Sequence, residues 1–269
     1  MIGASGRQRA QKDVIANLII KVPDYITQQR IASILSAYDD LIDINCRRIK
    51  LLEESARLLF REWFVYFRFP GYEKVKIVDG TPEGWKKECL NQIWDIRYGN
   101  NLPTTKILSM GKYPVFGADS IIGYYDKHNV EDKMCLVTCR GNGSGNIRRT
   151  FGPSFVTNNS FIFKSNIAYL HIPFFFTMFI LENLQLKNHN TGAAQPQLTL
   201  SNIASLKVLI PKKSIILRYT EIVKYLYQAS DNLRIQNQKL AQARDLLLSR
   251  LMNGTIEVSE LNTKIPEEA

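Results

Sequence analysis

The chain has 269 residues, 45% hydrophobic and 22% charged, the balance of a folded globular protein and not of a disordered or collagen-like one. Lysine and arginine outnumber the acids 35 to 25, a formal charge of +10, which favours polyanionic partners, nucleic acid first. The strongest apolar run, Ile172 to Leu181, is far short of the ~20 residues a spanning helix needs, and Met1 to Lys12 is polar and basic, so neither a membrane span nor a secretory leader is expected.

In chain order, Ala16 to Val22 alternates like a strand and is closed by Pro23. A long helix is expected from Thr27 to Phe67, stopped by Pro70-Gly71. Tyr38, Ile42, Asn45, Ile49, Leu52, Ala56, Leu59 and Trp63 fall on alternating four- and three-residue steps, the seam of a coiled coil. At ~1.5 Å per residue this helix is ~60 Å long, more than an ordinary packing element.

From Gly84 to Pro211 the composition changes to Gly, Asn, Tyr and Phe. Short β-like runs appear at Tyr113–Phe116, Ile121–Tyr125, Met134–Thr138 and Ser160–Phe163, separated by turn signals. An apolar helix from Ile172 to Leu186 is expected inside the core. The result is an α+β domain of about 130 residues, an ordinary domain size.

A second long helix is expected from Ile215 to Asn253, stopped by Gly254. Leu233, Asn237, Leu240, Arg244, Leu247 and Leu251 repeat the same steps, with Ala243 able to stand in for Arg244. One helix enters the domain and the other leaves it, so if they pair they pair antiparallel. Asn45 and Asn237 lie on the two stripes. They either fix register from a buried seam or sit at a wetted rim. The acidic tail after Glu257 is expected to be loose. The expected divisions are 1–26, 27–69, 70–212, 213–254 and 255–269.

An internal repeat underlies this layout. Ala16-Asn17-Leu18-Ile19-Ile20-Lys21-Val22-Pro23 matches Ala204-Ser205-Leu206-Lys207-Val208-Leu209-Ile210-Pro211, and in the same alignment Ile15 meets Ile203, Arg30 meets Arg218 and Ile34 meets Ile222. Each copy reads as strand, proline, long helix. The first copy is therefore expected to be the tail strand of a preceding domain.

The chemistry-bearing residues favour binding over catalysis. Arg140-Gly141-Asn142-Gly143-Ser144-Gly145-Asn146-Ile147-Arg148-Arg149 combines glycines, which allow close backbone approach, with arginines suited to phosphate or guanine and amides suited to adenine. The alternative is a glycine-rich hairpin with solvated arginines. The loop lacks the Lys-Ser/Thr ending of a nucleotide-binding loop. Asn158 and Asn159, and Asn190 with Gln195 and Gln197, are further candidates on polar turns. Lys86, Lys87 and Lys106 are plausible phosphate neighbours, although lone surface lysines are usually just solvated.

No methyltransferase motif of the Asn/Asp-Pro-Pro-aromatic kind is present. Asp119 with Glu131, Asp132 and Lys133 can be imagined holding a metal and a water, a combination common by chance. His128, His171 and His189 lack an acid or nucleophile at motif spacing. Cys135 and Cys139 have no second ligand pair, and with Cys46 and Cys89 they suggest neither zinc nor disulfides, so a reducing, cytoplasmic setting is expected.

Three segments carry a family resemblance. Gln28-Gln29-Arg30-Ile31-Ala32-Ser33-Ile34-Leu35 is followed by Asp39-Asp40-Leu41-Ile42. Asn45-Cys46-Arg47-Arg48-Ile49-Lys50-Leu51-Leu52-Glu53 runs into Ala56-Arg57-Leu58-Leu59-Phe60-Arg61-Glu62-Trp63-Phe64. Pro82-Glu83-Gly84-Trp85 opens the domain. Together they resemble the DNA specificity subunits of type I restriction-modification enzymes, and the likeness covers nearly the whole chain. It implies one target-recognition domain flanked by two long helices pairing as an antiparallel coiled coil, reading one half of a split double-stranded DNA site. The pattern usually has two such domains. One domain makes a half or truncated subunit the expectation, with a homodimer reading a palindromic split site. The resemblance also implies that the helices dock modification (methyltransferase) subunits and that a restriction subunit joins them. No cofactor is then expected in this chain; S-adenosylmethionine, ATP and Mg belong to partners. The competing expectation is a coiled-coil protein-interaction adaptor without sequence-specific DNA binding.

Overall fold

The computed structural model describes residues 15–17, 22–166, 173–192, 195–256 and 258. The chain divides into two compact units, one of residues 1–49 with 231–269 and one of residues 50–230.

Both long helices form. Helix α1 spans Tyr25–Phe60 and continues as a wider π turn over Arg61–Val65. Asp24 caps its start, accepting from the Thr27 backbone N–H at 2.9 Å and from the Thr27 hydroxyl at 2.9 Å. These hydrogen bonds hold the Asp24 carboxyl below its ordinary range. The π turn widens the helix where two large rings follow each other, and Trp63 and Phe64 are both buried.

In the first unit, α1 meets the long C-terminal helix through matched pairs. Asn45 Nδ2 donates to Asn237 Oδ1 at 2.9 Å, and Asn237 Nδ2 donates to the Ile42 carbonyl at 3.3 Å. Arg244 pairs with Asp39. Ile31, Leu251 and Val258 form a small apolar cluster. These contacts run in opposite order along the two segments. Asn45 is 2% exposed, which decides between the two readings of these asparagines: this one is inside.

The strand expected at Ala16 to Val22 falls largely outside the described residues. Ile15 to Asn17 form a helical turn.

The second unit holds the α+β body. Strands β1 (Ile77–Val78) and β2 (Thr81–Pro82) form a small ribbon. Strand β3 (Lys86–Cys89) leads through the short helix α2 (Leu90–Ile93) to β4 (Trp94–Tyr98). Then come β5 (Tyr113–Phe116), β6 (Ile121–Tyr125), β7 (Cys135–Thr138), β8 (Ile147–Arg149), β9 (Phe155–Val156) and β10 (Ser160–Ser165). Helix α3 (Phe174–Asn183), the short helix α4 (Leu200–Ile203), β11 (Lys207–Ile210) and helix α5 (Lys213–Met252) complete the order.

A four-stranded antiparallel sheet runs β4-β10-β7-β8, and a three-stranded sheet runs β6-β5-β9 with β5 and β9 parallel. The repeated Leu206-to-Pro211 segment supplies β11, which pairs antiparallel with β3.

The core explains why α3 is apolar all round. Phe176 and Phe179 meet Phe60 and Tyr219, so α1, α3 and α5 share one aromatic cluster. Each such ring contributes ~1.5–3 kcal/mol by leaving water. Two of the polar atoms carried inside are satisfied, Trp94 Nε1 donating to Thr177 Oγ1 at 3.0 Å and Tyr219 Oη to the Ala56 carbonyl at 3.2 Å, whereas the buried Trp85 Nε1 has no partner among the described residues. Ala56 is fully buried, so its own carbonyl accepts that hydroxyl inside the core.

Candidate nucleic-acid interface

The glycine-rich loop between β7 and β8 is a bonded structure of successive turns. Ser144 N donates to Gly141 O at 2.9 Å, Asn146 N to Gly143 O at 2.9 Å, and Gly145 N back to Thr138 O at 2.8 Å. Gly141 and Gly145 have φ of +82° and +91°, which an L side chain rarely adopts. A Cβ on Gly145 would also lie 2.6 Å from the Lys187 backbone nitrogen.

Three other segments attach to this loop. Gly141 N donates to Pro196 O at 3.0 Å, and Arg140 forms a β-bridge with Gln197, which itself bridges Thr191. Ser144 Oγ donates to Asn190 Oδ1 at 2.7 Å, and Asn190 Nδ2 returns a hydrogen bond to the Ser144 carbonyl at 3.2 Å. Cys139 N donates to Asn159 O at 2.8 Å. Burial pushes the Cys139 thiol up to about 11, so at neutral pH it is an uncharged packing group beside Arg140.

The candidates nominated by sequence therefore divide. Arg140, Asn142 and Gln195 are exposed around this hub, and Asn146, Asn158, Asn159 and Gln197 are half-buried there. Ser144, 1% exposed, and Asn190 satisfy each other and hold the loop's shape.

Arg148 and Arg149, read from the sequence as suited to phosphate or guanine, have inward partners. Successive residues of a strand point to opposite faces. Arg148 lies over the Phe116 ring at 5.2 Å and donates to the carbonyls of Gly117 and Ala118 at 2.9 Å each. Burial lowers its pKa, and the nearby Asp119 charge opposes that. Arg149 turns the other way, stacking on Tyr227 at 4.7 Å and Phe151 at 5.0 Å with Glu53 at 3.8 Å. Its side chain is 11% exposed.

Sequence reasoning singled out the amide run that begins at Asn188 but passed over Lys187, exposed beside the loop, because nothing in its spacing marks it. Asp119, weighed only as a metal ligand, lies against Gly143. Among the described residues no three His, Cys, Asp or Glu side chains gather as a metal would require. No helix among them is long and apolar enough to cross a membrane.

The family model for the type I restriction modification DNA specificity domain matches residues 1–54 and 82–244. The chain belongs to this specificity family. Specificity subunits of type I systems are non-catalytic recognition components. The chain is 25% identical over 282 residues to the type I restriction enzyme MjaIX specificity subunit of Methanocaldococcus jannaschii, covering 96% of this chain and 65% of that one. It is 24% identical over 329 residues to the HindI specificity subunit of Haemophilus influenzae, covering 91% and 70%. The crystal structure of a type I restriction-modification S subunit from M. genitalium has the same fold, with a TM-score of 0.63 at 21% identity, over 85% of this chain and 61% of that one. The specificity-family chain described here thus spans about two thirds of the length of these relatives.

Proposed function

We propose that this chain is a sequence-specific reader of double-stranded DNA that takes one half of a bipartite site. The observation that carries the reading is the convergence on one glycine-rich loop of segments that bear amides and a guanidinium: Arg140 and Asn142, Asn158 and Asn159, Gln195 and Gln197. Such groups can form paired hydrogen bonds to guanine and adenine edges. Held by a fixed loop, they lose little entropy on binding.

The same reading makes the two long helices an antiparallel coiled coil that docks methyltransferase subunits, with a restriction subunit joining the assembly. The contact of buried Asn45 with half-buried Asn237 and the opposed order of the helix contacts support the pairing of the helices. Exposed basic residues such as Arg47, Arg48 and Lys50 on α1 support a docking face. In this scheme methyl transfer and cleavage, with S-adenosylmethionine, ATP and Mg, fall to partner chains. A homodimer would read a palindromic split site.

The test is selection from a pool of randomised duplexes, followed by titration of the selected site against random duplex over a range of salt. A reader enriches one motif and binds it by about a thousandfold or more over random DNA. Arg140→Ala with Asn142→Ala should erase that margin. Weak, sequence-blind attraction would instead favour the protein-interaction adaptor.

A further inference from the structure

Among the guanidinium and amide groups around the loop stands an exposed carboxylate, that of Asp119. Asp119 lies in the tight turn between β5 and β6, where Gly117 N donates to Ser120 O at 2.9 Å. The turn is held from behind by groups other than Asp119. Arg148 donates to the carbonyls of Gly117 and Ala118, and Thr138 Oγ1 donates to the Ala118 carbonyl. The Asp119 carboxylate itself is exposed and lies over Gly143, where any Cβ would collide with it. Asn146 Nδ2 approaches one of its oxygens only at 3.4 Å, leaving most of its accepting capacity open.

A negative charge is unfavourable on a surface meant for a polyanion, because it repels every phosphate it approaches. It is useful only where the duplex offers a donor. In the major groove the donors are the amino groups of cytosine and adenine. Adenine places the N7 acceptor beside its amino group, which an acceptor-only carboxylate would oppose; cytosine has no acceptor there.

We propose that Asp119 is a specificity-determining residue that accepts from the N4 amino group of a cytosine and, by repelling phosphate, penalises sequence-blind binding. This rests on the DNA-reading proposal above. It assigns to Asp119 the opposite task from the arginine and lysine side chains near it: lowering affinity for the wrong sequence.

The experiment is the randomised-duplex selection repeated on the full chain with Asp119→Asn and Asp119→Glu. Asparagine keeps the shape of the turn and can still accept from Asn146. Wild type should enrich a motif with a fixed C·G pair. Asp119→Asn should lose discrimination at that pair by roughly ten- to a hundredfold and should bind random duplex more tightly. Asp119→Glu, keeping the charge, should hold the low affinity for random duplex. The proposal is overturned if Asp119→Asn returns the same motif with the same discrimination, or if it weakens binding to all sequences alike, as a purely structural carboxylate would. A wild-type chain that enriches no motif would instead overturn the DNA-reading proposal beneath it.

Discussion

Asn45 on α1 donates its side-chain amide to the side-chain oxygen of Asn237 on α5 at 2.9 Å, and Asn237 spends its own amide on the Ile42 carbonyl. The two residues form a directional contact that a one-turn slip would break. Asn45→Leu alone should leave Asn237 without its donor at a half-buried site and cost ~1–3 kcal/mol. Replacing both by Leu should be neutral or stabilising while register control is lost. Denaturant unfolding of the three variants checks the order. Equal destabilisation by the single and double variants would show that the pair does not act as a unit.

Arg149→Ala should act on stability and not on nucleic-acid binding. Its guanidinium lies between Tyr227 and Phe151 and near Glu53. The expected loss is ~1–3 kcal/mol, read as a lower denaturant midpoint, with the salt dependence of duplex binding unchanged. Arg140→Ala should do the reverse, relaxing the preference for the selected site over random duplex with little change in midpoint. A flattened slope in Arg149→Ala would return this arginine to the binding face.

Gly145→Ala places a methyl group against the Lys187 backbone at a positive φ. The loop must shift or the Lys187–Thr191 segment must move away. The strain is of order 1–3 kcal/mol. The expected phenotype is a folded protein with a blurred base preference. Selection from random duplexes measures it, and an unaltered motif would show that the loop's fine shape is irrelevant to reading.

Glu182 supplies a pH test. Burial raises its pKa above the ordinary 4.5, and pairing with Arg57 at 3.2 Å opposes this. The folded state therefore holds the proton more tightly than the unfolded one. Its contribution to stability is greatest below the unfolded pKa and declines as pH rises through the raised folded value. Glu182→Gln should remove that decline, flattening stability against pH above about 4.5. An unchanged profile would mean that the carboxyl is as well solvated folded as unfolded.

The periodic parts of this architecture were legible in the chain. The seam residues Ile49, Ala56 and Trp63 are buried, while Leu51 and Leu58, just off the stripe, are 66% and 49% exposed. Heptad spacing told these apart where hydrophobicity alone would not. The four β-like runs each became a strand because they are short, apolar and bounded by turn residues. Strands β3 and β4 were missed: Lys86-Lys87-Glu88-Cys89 reads as polar, and it forms a strand because β11 offers it a complete ladder. At the candidate interface, composition singled out the glycine-rich loop but not the direction of its side chains. Arg148 and Arg149 look alike in sequence, and only strand alternation with Phe116 on one side and Tyr227 on the other separates them. Asp119 was legible only as a possible metal ligand, because its neighbours Gly143 and Asn146 are distant in the chain.

The loop at Gly141 to Gly145 is tied to its neighbours largely through main-chain atoms, as in Gly141 N to Pro196 O and Cys139 N to Asn159 O. The exposed side chains of Arg140, Asn142 and Gln195 take no part in those ties. Under the proposed DNA reading, replacing them changes the message without disturbing the frame that displays it. A lineage built this way can drift from one target word to another by surface substitutions alone, each intermediate still folding.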